Sequence, residues 1–224
     1  MAFIDFKKAE EVQEYLKNLH TEYMFSCNSE KNAEGCHLLG DYTEAILNNP
    51  EEAYALYKEN CNLRQHPKSC YKYGRYLLRG KFEKIDEDRV YDLMTLACDK
   101  DWYIACPELA LLLLKGTKKH AVDVPRAFEL LEKSCEAEIV ESCFWLDKKF
   151  TSGYREIKPN FEKAFKFAMK SCLLGLPQGC DSVSRHYEHG EGIQKDEEKA
   201  RQYADLAAQI REEMRKSIPT GLSG

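Results

Sequence analysis

The sequence predicts an all-α protein, a solenoid of about five helical hairpins followed by a C-terminal capping helix. Three observations predict this fold. Cysteines recur in pairs at a nearly fixed period, an amphipathic segment leads into each pair, and a glycine follows most pairs at a constant distance. Recurrence with a period of roughly 20–50 residues is typical of stacked repeats, in which each unit buries its apolar face against its neighbours.

The ten cysteines set the period. Separations within the pairs are 9, 9, 8, 8 and 8 residues, and the first members follow one another by 34, 37, 37 and 37 residues. The pairs are Cys27/Cys36, Cys61/Cys70, Cys98/Cys106, Cys135/Cys143 and Cys172/Cys180.

The segment before each pair is predicted to be an amphipathic helix, here called helix A. In four of the five repeats a small or β-branched residue lies eight positions before the first cysteine, an aromatic residue seven before and Leu or Phe five before. Ala127, Phe128 and Leu130 ahead of Cys135 are an example. Apolar residues at this spacing share one face of a helix.

The segment after each pair is predicted to be a second helix, here called helix B. It carries an apolar or aromatic residue three positions after the second cysteine, and in four repeats a glycine ten positions after it, as a helix C-terminus prefers. These glycines are Gly80, Gly116, Gly153 and Gly190. We therefore expect one repeat domain over 1–215, with repeats at about 5–49, 50–84, 86–122, 125–158 and 160–194, a cap at 197–215 and a flexible tail at 216–224.

Two substitutions interrupt the pattern. The small residue found four positions after the second cysteine is replaced by Asp147 in the fourth repeat, and Ile46 replaces the closing glycine of the first repeat. We expect looser packing at both places.

The composition is that of an ordinary globular protein. Hydrophobic residues make up 43% of the 224 residues and charged residues 32%, with a formal net charge of -5. These values exclude a wholly disordered chain, and the absence of a basic block argues against nucleic-acid binding. The longest apolar run, 109–114, is far shorter than the roughly 20 residues of a membrane span.

Structural disulfides are the favoured interpretation of the cysteines, because the end of helix A and the start of helix B must approach at each hairpin tip. Zinc ligation is disfavoured by the wide gaps within the pairs, and thiol–disulfide catalysis by the lack of a Cys-x-x-Cys motif. Met1 to Glu10 contains no apolar segment like that of a secretory signal, and the acidic, Arg-free N-terminal region is unlike a mitochondrial presequence.

Other candidate sites are weaker. Ser69 and Lys72 form a Ser-x-x-Lys element like that of β-lactamases, but its companion motifs are missing, so Ser69 is interpreted as a helix cap or a small residue of the tip. His186 and His189 have a metal-compatible spacing but are interpreted as a solvated pair. No cofactor or metal is expected, and a non-covalently held haem stays open as an alternative.

The period, the paired cysteines and the hairpin pattern together resemble the Sel1-like repeat, a relative of the tetratricopeptide repeat, and in particular its cysteine-rich subset. The resemblance implies a right-handed α-solenoid that acts as a non-enzymatic scaffold or chaperone. Its expected role is in the assembly of mitochondrial respiratory-chain complexes, chiefly cytochrome c oxidase (complex IV), with complex I as a further candidate. A thiol–disulfide reductase or a β-lactamase-like hydrolase on the same fold is the alternative.

The resemblance also implies a location and partners. Paired cysteines and the N-terminal sequence fit the mitochondrial intermembrane space, and the expected partners are client proteins and the disulfide relay oxidoreductase of that compartment. Leu19, Tyr23 and Cys27 stand four residues apart, so they share a helix face similar to the docking segment of relay substrates. Packing of that face against the first repeat is the simpler explanation. Client contacts are expected at exposed residues of the A helices, namely Lys58, Glu59, Glu132 and Lys170.

Overall fold

The computed structural model describes residues 6–217 and consists there of helices joined by short connections. The α-helices are α1 (Ala9–Asn28), α2 (Ala33–Ala45), α3 (Pro50–Arg64), α4 (Pro67–Arg79), α5 (Glu87–Asp99), α6 (Cys106–Lys115), α7 (Val124–Glu136), α8 (Val140–Ser152), α9 (Phe161–Leu173), α10 (Pro177–His189) and α11 (Glu197–Ser217). A short 3₁₀ helix, Tyr103–Ala105, precedes α6. The all-α prediction is therefore confirmed.

The helices alternate as the repeat pattern predicts. The odd-numbered helices α1 to α9 are the A helices, the even-numbered helices α2 to α10 are the B helices, and α11 is the predicted cap. The cap helix continues two residues beyond the predicted end at 215, so Lys216 and Ser217 are helical and do not belong to the predicted tail. The rest of that tail, 218–224, lies outside the described residues.

Helix boundaries follow local sequence signals. The side chains of Asn32, Asn49, Asp86, Asp123 and Asn160 each accept a hydrogen bond from a backbone N–H in the first turn of the helix that follows. Such caps satisfy donors that have no partner within the helix. The glycines predicted to end B helices have φ between 61° and 77°, a left-handed conformation that suits glycine. In the first repeat, which lacks this glycine, Asn48 adopts a positive φ instead.

The helices group into two compact units, with the boundary between Ala105 and Cys106. The first unit contains α1 to α5, and each helix packs against the next one in the chain. Its buried centre is rich in tyrosine. The ring of Tyr54 lies 5.6 Å from that of Tyr73 and 5.8 Å from that of Tyr76, measured between centroids.

The second unit contains α6 to α11, which also pack in chain order. Aromatic rings connect its successive helices: Phe128 of α7 meets Phe150 of α8 at 5.5 Å, and Phe150 stacks on Phe167 of α9 at 5.8 Å. At the end of the unit, Tyr187 of α10 stacks on Tyr203 of α11 at 5.8 Å. Aromatic pairs at these distances add to the stabilisation that comes from burial.

The small residue four positions after the second cysteine is explained by close contact with the next A helix. A Cβ atom at Gly40 would lie 2.6 Å from Cε1 of Tyr57, and one at Gly74 would lie 2.6 Å from Cε of Met94. Both Tyr57 and Met94 are fully buried. Small residues at this position therefore let large side chains of the following helix enter the core.

A second pair of small residues determines how closely the two helices approach at the hairpin tips. The residue before the first cysteine faces the residue before the second one, and the two are complementary in size. Gly35 lies against Ser26, and Gly179 lies against Ser171. Where both carry polar side chains, a hydrogen bond joins them, as between the hydroxyls of Ser134 and Ser142 at 2.6 Å and between Asn60 and Ser69 at 2.7 Å. Little space is left for a larger side chain at these tips.

Substitution of Gly35 tests this complementarity. Gly35→Ala is expected to lower the free energy of unfolding by about 1–3 kcal/mol, because the new methyl group overlaps the Ser26 side chain. Urea denaturation under non-reducing conditions measures the change. The double variant Ser26→Gly/Gly35→Ala should recover part of the loss relative to the sum of the two single changes. Strict additivity in this cycle would contradict the proposed contact.

Candidate functional site

The hairpin tips place paired cysteines together. The Cα atoms of the disulfide-bonded pairs Cys27–Cys36, Cys61–Cys70, Cys135–Cys143 and Cys172–Cys180 lie 4.3, 4.8, 4.8 and 4.5 Å apart. Each of these cysteines is buried, and no cysteine among the described residues is a free thiol. The described residues also contain no group of three or more His, Cys, Asp or Glu side chains that could hold a metal ion. In this oxidised form the cysteines act as cross-links.

Ser69 of the Ser-x-x-Lys element lies inside a buried polar cluster between the first two repeats. The Ser69 hydroxyl accepts a hydrogen bond from Nδ2 of Asn60 at 2.7 Å and lies 3.2 Å from Nδ1 of His37. The Lys72 ammonium points elsewhere, toward Glu44 at 2.8 Å and Asp41 at 3.2 Å. Ser69 has no exposed surface and no lysine partner, so the arrangement does not present a nucleophile to a substrate.

Of the two interpretations of Ser69, the helix cap is wrong and the small residue of the tip is confirmed. The cap of α4 is His66, whose Nδ1 accepts a hydrogen bond from the backbone N–H of Ser69. The other nitrogen of that ring lies 3.0 Å from a carboxylate oxygen of Glu34 in α2. Ser69 is instead the small buried residue of its tip, and the histidine links α4 to the first repeat.

The two histidines of this cluster have displaced pKa values. Burial lowers the pKa of His37 to about 4, although Asp41, 3.4 Å from its Nε2, opposes the shift. Burial likewise lowers the pKa of His66. Both rings are therefore neutral at pH 7 and serve as hydrogen-bonding groups in the interior.

In the second unit, Asp147 and His186 form a buried pair that the sequence analysis did not predict. Both side chains are fully buried, and Oδ1 of Asp147 lies 3.5 Å from Nε2 of His186. Although burial itself raises the pKa of Asp147, the hydrogen bond with His186 and the charge of Lys148 hold that pKa below its ordinary value. Asp147 is fully buried and its carboxylate joins the fourth repeat to the fifth, whereas the looser packing expected there stays a prediction. The expected solvated histidine pair is wrong for His186, and only His189 is exposed.

The predicted relay-docking residues lie on the inner face of α1. Cys27 is buried in its disulfide, and Leu19 and Tyr23 are half-buried. Tyr23 packs against the cluster around Cys27 and meets the Tyr42 ring edge-on at 6.4 Å. This face therefore packs against the first repeat in the folded protein, and a docking role before folding stays a prediction.

Two of the four predicted client contacts line a groove between the A helices α7 and α9. The groove has a volume of about 200 Å³, with Cys135 and Phe167 at its base. Glu132 and Glu136 of α7 form one wall, and the other is formed by three lysines of α9, namely Lys163, Lys166 and Lys170. The other two predicted contacts lie on α3, where Glu59 is exposed and Lys58 forms an ion pair with Glu83.

The charges of the groove are only partly compensated. Nζ of Lys163 lies 3.6 Å from a carboxylate oxygen of Glu132, and Lys170 donates to the backbone carbonyl of Glu136 at 3.3 Å. Lys166 is exposed and has no ion-pair partner within the described part of the chain. A groove with an aromatic base and charged walls is suited to holding a peptide segment of another protein.

A family model for the Sel1 repeat matches residues 33–62, 67–102, 104–138, 152–176 and 177–209. The chain belongs to the Sel1-repeat family. Most of the matched ranges pair a B helix with the A helix that follows it, so the Sel1 repeat is offset by one helix from the disulfide-linked hairpins. The solenoid class predicted from the cysteine period is thereby confirmed.

Curated relatives carry a more specific name. The chain is 42% identical over 113 residues to a Drosophila melanogaster protein named cytochrome c oxidase assembly factor 7 homolog, a match that covers 49% of this chain and 42% of that one. It is also 42% identical over 78 residues to the human cytochrome c oxidase assembly factor 7, covering 35% of this chain and 34% of the human protein. The chain thus matches about two-fifths or less of the length of these relatives.

Solved Sel1-repeat structures share the fold. A protective antigen of uropathogenic Escherichia coli with an SLR fold superposes with a TM-score of 0.75 at 17% identity, covering 92% of this chain and 49% of that one. A Sel1-repeat protein from Oxalobacter formigenes gives a TM-score of 0.73 at 19% identity, covering 89% and 83% of the two chains. No described helix of this Sel1-repeat chain is long and apolar enough to cross a bilayer.

The buried histidines predict how stability depends on pH. The pKa of His37 is about 4 in the folded protein and 6.5 as the reference for the unfolded chain, so the unfolded chain binds more protons between these values. We therefore expect the free energy of unfolding to fall as the pH is lowered from 6.5 to 4, with a contribution of up to about 3 kcal/mol from this ring. His37→Gln should flatten the dependence measured by urea denaturation, and His189→Gln, at an exposed position, should leave it unchanged. An equal slope in both variants would contradict the assignment.

Proposed function

We propose that this Sel1-repeat protein is a non-enzymatic scaffold of the mitochondrial intermembrane space that holds client chains during assembly of cytochrome c oxidase. The observation that carries the proposal is the 42% identity to relatives named for that assembly. The geometry supports it in two ways: the cysteines act as cross-links, and the groove between α7 and α9 offers a surface for an extended chain. Complex I is a second candidate client, to be measured in the same experiment.

The compartment is inferred from the cysteines and the relatives together. Disulfides persist in oxidising environments and are rare in the cytosol, and short bridges at every hairpin tip need such an environment to form. Cytochrome c oxidase assembly, the activity in the relatives' name, belongs to the mitochondrion. The intermembrane space meets both conditions, and its disulfide relay oxidoreductase is the proposed partner for import.

The hydrolase alternative receives no support from the site. Ser69 is buried and its hydroxyl accepts a hydrogen bond from Asn60, whereas Lys72 forms an ion pair with Glu44. The reductase alternative receives no support either, because the bridged cysteines are buried and the sequence contains no Cys-x-x-Cys motif. A scaffold is therefore the function that the geometry supports best.

A charge reversal in the groove tests the client role. Lys166→Glu/Lys170→Glu is expected to weaken client binding by about 1–2 kcal/mol, because two cations on one wall become carboxylates opposite Glu132 and Glu136. Cells that lack the endogenous gene would express either form, and blue-native electrophoresis would measure the abundance of complexes IV and I. Expression and folding would be matched by immunoblot and circular dichroism.

The matched control is Lys118→Glu/Arg201→Glu, which makes the same change in net charge at exposed positions outside the groove. Complex IV should fall with the groove variant and not with this control. Equal rescue by both variants would contradict the groove as the client site, and rescue by neither would show that net charge, not this surface, limits assembly.

The docking face of α1 makes a separate prediction about import. Tyr23→Ala is expected to slow the uptake of the protein into isolated mitochondria and to delay oxidation of its cysteines. Tagging of free thiols with a maleimide of high mass measures that oxidation over time. Tyr42→Ala is the control, since it removes the same ring contact in the folded state from the other side. Slower import of both variants would show that packing, and not docking, is the role of Tyr23.

A further inference from the structure

Helix α8 departs from the other B helices of the protein. The ranges that match the Sel1 repeat include none of its residues except Ser152. Six positions after the second cysteine, the other four repeats bury a side chain, namely Tyr42, Tyr76, Leu112 and His186. In the fourth repeat this position is Lys149, which is only half-buried. Lys149 is therefore not part of the buried core, unlike the residues at this position in the other four repeats.

Lys149 lies between two aromatic rings. Its Nζ is 5.2 Å from the ring centroid of Trp145, one turn earlier on α8, and 4.4 Å from that of Tyr154, in the loop after the helix. The guanidinium of Arg155 lies 5.7 Å from the Tyr154 ring. Trp145 keeps 36% of its surface exposed, and Arg155 is exposed as well. We call these four residues the α8 patch.

The loop holds the patch in a defined geometry. Two backbone hydrogen bonds of 2.9 Å join Tyr154 and Ile157 in both directions and close a tight turn. Arg155 lies within this turn at a φ of 51°. Tyr154 and Arg155 thus lie on a hydrogen-bonded turn, so their backbone loses less conformational entropy when a partner binds.

The charge of the patch is not compensated within the described residues. The neighbouring Lys148 pairs with the buried Asp147 carboxylate at 3.3 Å, but no carboxylate among residues 6–217 lies within 4 Å of the charged groups of Lys149 or Arg155. The exposed Lys158 adds a further cation close by in sequence, and Glu156 is the single exposed carboxylate between 144 and 158. The chain as a whole has a net charge of -5, so this is a local positive surface on an acidic protein.

We propose that the α8 patch is a docking surface for an acidic segment of a partner protein, whose carboxylates bind Lys149 and Arg155 while an apolar or aromatic side chain stacks on Trp145 and Tyr154. Tryptophan, tyrosine and arginine are the residues enriched at the energetic centres of protein interfaces. Charge complementarity identifies the occupant, because the two cations lack carboxylate partners. Recruitment to anionic lipid requires roughly 4–8 clustered basic residues, more than the patch provides. The surface is distinct from the groove between α7 and α9, so the proposal does not depend on the client site.

The test uses the full-length oxidised protein and a fluorescein-labelled synthetic peptide in which glutamates and aspartates alternate with tyrosines. A second peptide replaces every acidic residue by its amide. Fluorescence anisotropy should show saturable binding of the acidic peptide alone, weakening as salt is raised. Lys149→Glu/Arg155→Glu and Trp145→Ala should each weaken binding by at least about tenfold, or 1.4 kcal/mol.

Lys118→Glu/Arg201→Glu again serves as the control of equal net charge and should bind as the unchanged protein does. Absence of saturable binding, or equal loss in the control, would overturn the proposal. Sedimentation velocity and flotation with vesicles of phosphatidylserine and phosphatidylcholine test the other occupants. If the acidic peptide does not bind and the patch variants alone abolish a dimer, the surface would be assigned to a second copy of the chain. If they alone abolish vesicle binding, it would be assigned to a membrane.

Discussion

The close approach of two helices at the disulfide-linked hairpin tips within each unit is the constraint on which the rest of this Sel1-repeat structure depends. Where the bridged cysteines have Cα atoms less than 5 Å apart, the residues beside them fit closely together, such as Ser26 with Gly35 and Asn60 with Ser69. Four residues after the second cysteine, Gly40 and Gly74 then lie directly against the A helix that follows. A repeat protein has no single shared core, so its order is built from these local distances.

Much of this architecture could be predicted from the sequence because it depends on short-range signals. The cysteine period, the apolar spacing before Cys135 and the glycines after the B helices each determine local structure within about ten residues. The division into two compact units could not be predicted, because it depends on packing between helices, which the repeat pattern does not encode. The repeat pattern predicts which positions face a neighbouring helix, but not which side chains of that helix they contact.

The candidate sites show the same limit. Asp147 breaks the small-residue pattern, and without knowledge of its partner a carboxylate there predicts poor packing. Its pairing with His186, 39 residues later in the chain, is visible only when α8 and α10 lie together. The Ser69 cluster is a similar case, since its histidines are contributed by two different repeats. Of the predicted client contacts, Glu132 and Lys170 line one groove because α7 and α9 are neighbouring A helices, which the hairpin pattern did predict.

The buried polar pairs have a consequence for how the hairpins are ordered. Repeats of nearly equal length could stack in the wrong order or exchange between two molecules, because the burial of apolar surface is not directional. A fifth hairpin placed against any neighbour other than α8 would remove the His186 imidazole from the buried Asp147 carboxylate, which would keep only Lys148 and Thr151 of its own helix as partners. A buried polar group that loses a hydrogen-bonding partner costs about 1–3 kcal/mol. The Asp147–His186 pair thus favours the native pairing of the fourth and fifth hairpins over pairing of either one with another repeat.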